Sequence, residues 1–364
     1  MAALPGLLEQ KPSHETRWKV FHGLFHNSLG RVDQSQFQQY FRYYERELAM
    51  LKFGSLTVQS PTNQLVVTRH EELVEVADIV RSAVSNKSEL RKMLQDRYSG
   101  EEAAADRTLN LLVRLWLMVN VREPDAALHA PQTYLLQWSS QQTLQDFVAD
   151  AFPTSKWRVE ARESRLHPSF TAAFMVNICG LKLEWTDCLA DHLRLDRRHH
   201  ALRVYSYKSL LQVHLNSHGD DALASDRRSV SKRIERDNPN GHSPFPGRLL
   251  LETIWTLNLL FPQWDPNTNS LLKKHQQSFQ QIGPYNGPPT SNLAQFEYWR
   301  DRLCELHDVV FLAPPASWAQ LWRDRRNPQQ FWTFWLALVI LLLTLISTIT
   351  GIVQAWASIK SLDY

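Results

Sequence analysis

FWTFWLALVILLLTLISTITGIV, residues 331–353, decides the architecture, because it carries no charged side chain and very few polar ones. A helix needs about 20 apolar residues in a row to cross a hydrocarbon layer roughly 30 Å thick, since each residue rises about 1.5 Å and every backbone polar group must be satisfied internally. The uncharged run extends over 327–359, well beyond the ~10 to 14 apolar residues of a buried core helix. One C-terminal transmembrane α-helix is therefore expected over 329–357. Phe331, Trp332, Trp335, Leu342 and Trp356 form its anchor, with Trp318 and Trp322 ahead of it and Tyr364 beyond. Amphipathic rings favour both interfaces of a bilayer, which is the natural partner of this segment.

Working outward, Arg323, Arg325 and Arg326 precede the helix and only Lys360 follows it. The positive-inside bias then puts the N-terminal body in the cytosol and a short tail, 358–364, on the other side. The opening MAALPGLLEQKPSHE has neither a basic nor an apolar signal region, so a secretory leader is not expected. A helix this close to the end of the chain is expected to insert after synthesis, as a tail anchor. Ser347, Gly351 and Ala355 recur every four residues, so they share one face on which two helix backbones could approach closely, a candidate homodimer contact flanked by Thr344 and Thr348.

Over the whole chain, 43% hydrophobic and 21% charged residues describe a folded body and argue against both a disordered chain and a many-span transporter. A net charge of only +3 supplies no global field for nucleic acid. Cys179, Cys188 and Cys304 are odd in number and form no C-x-x-C pair, so neither a disulfide framework nor a zinc ribbon is indicated.

The body reads as mixed α+β and helix-dominated. Phe37, Tyr40, Phe41, Tyr44, Leu48 and Leu51 recur at helical spacing after Asp33 and Gln36, with Gly54 expected to close the run. NQLVVT, 63–68, reads as a strand before a helix carrying Leu73, Val76, Ala77, Val80 and Val84. Asn86 with Glu89 is a capping box, and a further helix is expected from Glu101 to about Val121. TYLLQW, 133–138, reads as a strand, TLQDFVADAF as a helix, and PSFTAAFMVNIC as a helix entered at Pro168 and closed by Gly180. LKLEWT and ALRVYSY read as strands around a polar turn, with SLLQVHL helical after them. LLLETIWTLNLL and LAQFEYWRDRLCELHDVVF each predict one helix. The expected organisation is a main body over 1–216, a polar flexible insertion over 217–247, helices packing back over 248–312, and an amphipathic juxtamembrane segment over 313–328.

RYYERELAMLKFGSLTV (42–58), SFTAAFMVNICGLKLEWTDCLADHLRL (169–195), LLFPQWDPNTNSLL (259–272) and WRDRRNPQQFWTFWLALVILLLTLI (322–346) together resemble a large uncharacterised family of filamentous-fungal proteins. The resemblance spans nearly the whole chain and implies a cytosolic domain with one C-terminal membrane helix. It supplies no active-site motif and no cofactor. By analogy alone, a lineage-restricted family points to an accessory role in stress, recognition or cell-surface traits.

The common phosphate cradles, the nucleophile elbow and the zincin helix are all absent from the sequence. His214 and His218 lie four apart, with Asp220 and Asp221 nearby, a metal-pair spacing that reads more simply as exposed histidines at a fraying helix end. Asp187, Cys188, Asp191 and His192 bring nucleophile and ligand types together, but with no second cluster at ligand spacing they read more simply as a packed cysteine and surface charges. Arg194, Arg197, Arg198 and Arg203, with His199 and His200, form a candidate anion patch or a solvated hairpin turn. The paired helices from Leu73 to Leu94 could mimic helix-turn-helix spacing, but their exposed positions carry Glu71, Glu72, Glu75 and Asp78, and such acidic faces repel DNA, so plain helix packing is expected there. No catalytic, cofactor or metal residue emerges. The function expected is that of a membrane-tethered, non-enzymatic interaction or adaptor protein with a protein partner; the alternatives are an unrecognised enzyme on a membrane-associated substrate and a lipid-headgroup-binding module.

Overall fold

Asn86 starts a helix in the computed structural model for the reason its sequence suggests: its side-chain oxygen accepts the Glu89 N–H at 3.0 Å, while the Glu89 carboxylate accepts the Asn86 N–H at 3.3 Å. Thr143 and Asp146 repeat the device at 3.1 and 3.3 Å. The structure describes residues 8, 11–25, 34–57, 65–122, 135–156, 165–217, 243–277, 279, 291–312 and 328–362. Among these the helices are α1 (His14–Phe25), α2 (Gln38–Thr57), α3 (His70–Ser82), α4 (Lys87–Tyr98), α5 (Glu102–Leu117), α6 (Leu144–Ala151), α7 (Ala172–Asn177), α8 (Lys208–Asn216), α9 (Gly247–Leu260), α10 (Pro266–Lys274), α11 (Arg300–His307) and α12 (Pro328–Leu362). The strands are β1 (Lys182–Thr186), β2 (Leu195–Asp196) and β3 (Ala201–Tyr205). The fold is thus helix-dominated α+β with one long apolar C-terminal helix.

Helix α5 is the axis of the body. Every residue from Thr108 to Leu117 is buried, the all-round pattern of a central helix. Its three buried polar side chains are engaged: the Thr108 hydroxyl donates to the Ala104 carbonyl at 2.8 Å, Asn110 Oδ1 accepts from Lys87 Nζ at 2.9 Å, and Arg114 pairs with Glu47 at 3.2 Å. Around it α1 packs on α3, α8 on α9, and the apolar face of α2 supplies Tyr40, Phe41, Tyr44 and Leu48, with Phe37 from the 3-10 turn just ahead of it (Gln34–Phe37), to a single core. Gly23 permits the α1–α3 contact, since a Cβ there would lie 2.3 Å from Val74 Cγ1. Arg81 of α3 closes the end of α1, donating to the Gly23 carbonyl at 2.8 Å and to that of Leu24. Core residues run from Leu8 to Val310, including Phe245 just before α9. Ser243 and Phe245 are buried although the sequence places them in a polar insertion.

Several boundaries differ from expectation. Helix α2 passes through Gly54 to Thr57, because a glycine stops a helix only where the chain turns left-handed. Residues 65–68 form no strand; the Val66 N–H donates to the Thr108 hydroxyl at 3.1 Å, so a side chain takes the place of a strand partner. Among the described residues of TYLLQW, 135–138, only Leu136 pairs, in an isolated parallel bridge with Val121. Helix α5 ends at Leu117, with Met118 left-handed (φ 52°). Helix α7 starts at Ala172 under a Thr171 cap rather than at Pro168, and ends at Asn177 before Gly180 turns the chain at φ +71°.

β1 and β3 pair in parallel, Lys182 with Ala201 through Thr186 with Tyr205, and β2 lies antiparallel on the far side of β3. The polar turn at 197–200 therefore closes a β2–β3 hairpin, while a 3-10 turn (Leu189–Asp191) carries the chain between the parallel strands.

LAQFEYWRDRLCELHDVVF is not one helix. It divides into a 3-10 turn (Leu293–Gln295), α11 and a π-helical turn (Asp308–Leu312). Buried Glu252 of α9 makes the break, accepting the N–H groups of Glu297, Tyr298 and Trp299 at 2.7, 2.9 and 3.4 Å. Three amides turned toward one carboxylate cannot also belong to a regular helix.

Candidate functional site

The α12 segment Trp332–Ile359 is 28 residues long, apolar enough to cross a membrane, and none of it is buried in the body. At about 1.5 Å per residue it reaches about 42 Å. Trp332, Leu342 and Trp356 are exposed and Trp335 is half-buried. The Phe331 side chain, and Arg323, Arg325 and Arg326 altogether, lie outside the described residues. Ser347, Gly351 and Ala355 are exposed on α12, with open space where a Gly351 Cβ would stand. Thr344 and Thr348 donate to their own helix, to the Leu341 and Thr344 carbonyls at 2.8 Å each, so both hydroxyls are already used.

The arginine cluster of the β2–β3 hairpin is paired with carboxylates. Arg194 meets Asp191 at 3.1 Å, Arg197 meets Glu305 at 2.9 Å, and Arg203 meets Glu184 at 3.4 Å and Asp191 at 3.7 Å. His199 lies 2.8 Å from Asp196 and, with the local backbone amides, holds that carboxyl down at about 2. Among the described residues only Arg198 of the four has no carboxylate. This pairing fits the solvated hairpin turn, with its exposed members held weakly.

Asp187, Cys188, Asp191 and His192 are neighbours in sequence and diverge in space. Asp187 accepts from Tyr207 Oη and Arg46 Nη2, both at 2.5 Å. The Cys188 thiol is pushed up to about 12 by burial and by nearby Asp191, which removes it as a nucleophile. His192 is fully buried: Nδ1 accepts the Tyr205 N–H at 3.2 Å, so Nε2 carries the proton and donates to Thr256 Oγ1 at 2.7 Å. Burial, helped by Arg302, lowers it to about 3, so it stays neutral. His214 is likewise buried, held by Ser243 at 3.0 Å and the Trp116 carbonyl at 3.2 Å, and is no exposed metal ligand. His218, Asp220 and Asp221 lie outside the described residues, among which no group of three potential metal ligands occurs.

One concave site does gather charge. Lys11, His14, Arg17 and Trp18 face Ser35, Gln38, Phe41, Arg42 and Glu45 across a groove of about 380 Å³ between α1 and α2. Ser13 caps α1, accepting the Thr16 N–H at 3.1 Å, and so sets where Lys11 and His14 project. Glu45 gathers Lys11 at 3.2 Å and Arg17 at 2.6 Å. Arg42, one turn earlier on α2, is exposed and pairs with no carboxylate among the described residues. Trp18 and Phe41 meet edge-on at 5.1 Å to form an apolar wall, and the Trp18 indole N–H donates to His14 Nε2 at 3.2 Å. The apolar periodicity of α2 marks its core face and leaves its outer face without a signal of its own, which has to come from the helix opposite, α1. The signal was there in Ser13 followed by Thr16 and an apolar helix.

No protein-family model matches this chain, nor does any curated protein or solved structure.

Proposed function

We infer that this chain is a single-pass, membrane-tethered interaction protein whose body meets a protein partner at a membrane surface, on the cytosolic side. The observation that carries the reading is the bare apolar helix Trp332–Ile359 attached to a body with a core of its own. A non-enzymatic role is supported by where the titratable groups point: His192, His214 and Glu252 are spent on hydrogen bonds inside the core. An enzyme needs such groups to converge on a concave site. Cytosolic placement rests on Arg323, Arg325 and Arg326 against a single Lys360. An accessory role in fungi rests on the resemblance of the four quoted phrases. Protease treatment of sealed microsomes tests the topology: an N-terminal tag should be destroyed and the residues after the helix spared, whereas a protected body would overturn it. A homodimer through Ser347, Gly351 and Ala355 would depend on backbone packing, the threonine hydroxyls being engaged. Gly351→Ile should then lower the signal in a membrane two-hybrid reporter, and equal signals would leave the face without that role.

A further inference from the structure

We propose that the groove between α1 and α2 binds a phosphate-bearing ring compound. Three cations, Lys11, Arg17 and Arg42, line it against Glu45, its one carboxylate among the described residues, so its field favours an anion. Guanidinium groups match phosphate oxygens two at a time, and two of the three cations are arginines. Arg42 is the one already open to a ligand. Lys11 and Arg17 are held by Glu45 in a partly exposed cluster, and such pairs exchange readily for a stronger anion. His14 adds a donor: its Nε2 accepts from Trp18, so in the neutral ring the proton sits on Nδ1. The Trp18 and Phe41 wall offers an apolar face to a ring, and about 380 Å³ suits a small molecule. The same chemistry occurs in a soluble phosphorylated ring and in the headgroup of a phosphoinositide lipid. Ligand binding here goes beyond membrane tethering and does not depend on it.

The test uses the full chain in phosphatidylcholine nanodiscs, titrated calorimetrically with inositol trisphosphate. Saturable binding is expected, with Arg42→Ala weakening it about tenfold through loss of charge-assisted hydrogen bonds. Glu45→Gln should tighten binding, because it removes the internal competitor for Lys11 and Arg17; a residue that merely supported the fold would not do so. Both positions lie outside the core, and an unchanged near-UV circular dichroism spectrum verifies folding. Repeating the titration in discs doped with phosphatidylinositol bisphosphate separates the sources. Loss of the soluble titration assigns the groove to the bilayer lipid, and its persistence assigns it to a soluble ligand. Absence of saturable binding in neutral discs, an affinity untouched by Arg42→Ala, or a weaker affinity in Glu45→Gln would overturn the proposal.

Discussion

The carboxylate of Glu252 accepts the backbone N–H of Tyr298 at 2.9 Å across 46 positions of chain. Glu252 is wholly buried on α9, and its pKa is raised by burial against the opposing pull of the amides and of Arg248 at 3.0 Å. The arrangement is a buried anion feeding the approach to a helix N-terminus, where free N–H groups gather.

Removing that anion strands three amides and takes the carboxylate from Arg248, which keeps the Gln295 carbonyl. Glu252→Ala should cost about 3 to 5 kcal/mol, the range for breaking a buried ion pair, and Glu252→Gln less, since the amide keeps one acceptor. Thermal unfolding of the detergent-solubilised chain, followed by near-UV circular dichroism, measures both. A Glu252→Ala midpoint equal to wild type would contradict this role.

His192 makes stability depend on acidity. Its folded pKa is about 3 against an ordinary 6.5, so between these values the unfolded chain binds a proton that the folded one does not. Stability therefore rises with pH through this window and is lost on acidification, with a slope contribution of up to about 1.4 kcal/mol per pH unit. His192→Gln should flatten the curve between pH 6.5 and 3, and parallel curves for the two proteins would refute the assignment.

The α1–α3 contact predicts a rescue. Gly23→Ala should gain about 1 kcal/mol of helix propensity and lose more to the clash with Val74, for which overpacking costs of about 1 to 3 kcal/mol are typical. Val74→Ala in the same chain should recover part of the loss. Additive midpoint shifts in the double variant would show that the two side chains do not meet.

Deletion of 331–364 should release a soluble, folded body, because none of the apolar α12 span is buried in it and the core residues among those described run from Leu8 to Val310. Size-exclusion elution with a cooperative melt is the expected result. Aggregation of the truncated chain would mean that the body needs the helix.

What the sequence determined by itself was local. An uncharged run of this length reads as a membrane span because the hydrocarbon layer sets one requirement that no contact elsewhere in the chain can alter. The starts at Asn86 and Thr143 were legible because a capping box closes within three residues. Tertiary structure decided the rest. The parallel pairing of β1 with β3 depends on the chain crossing between them, and the break at 296–299 depends on Glu252, far away in sequence. Whether His192, His214 and the arginines from 194 to 203 were reactive depended on partners such as Thr256, Trp116 and Glu305, which only folding brings near. The groove between α1 and α2 belongs to the same class, since Lys11 precedes α1, Arg17 lies on α1 and Arg42 on α2, and only folding lines them along one groove with Glu45.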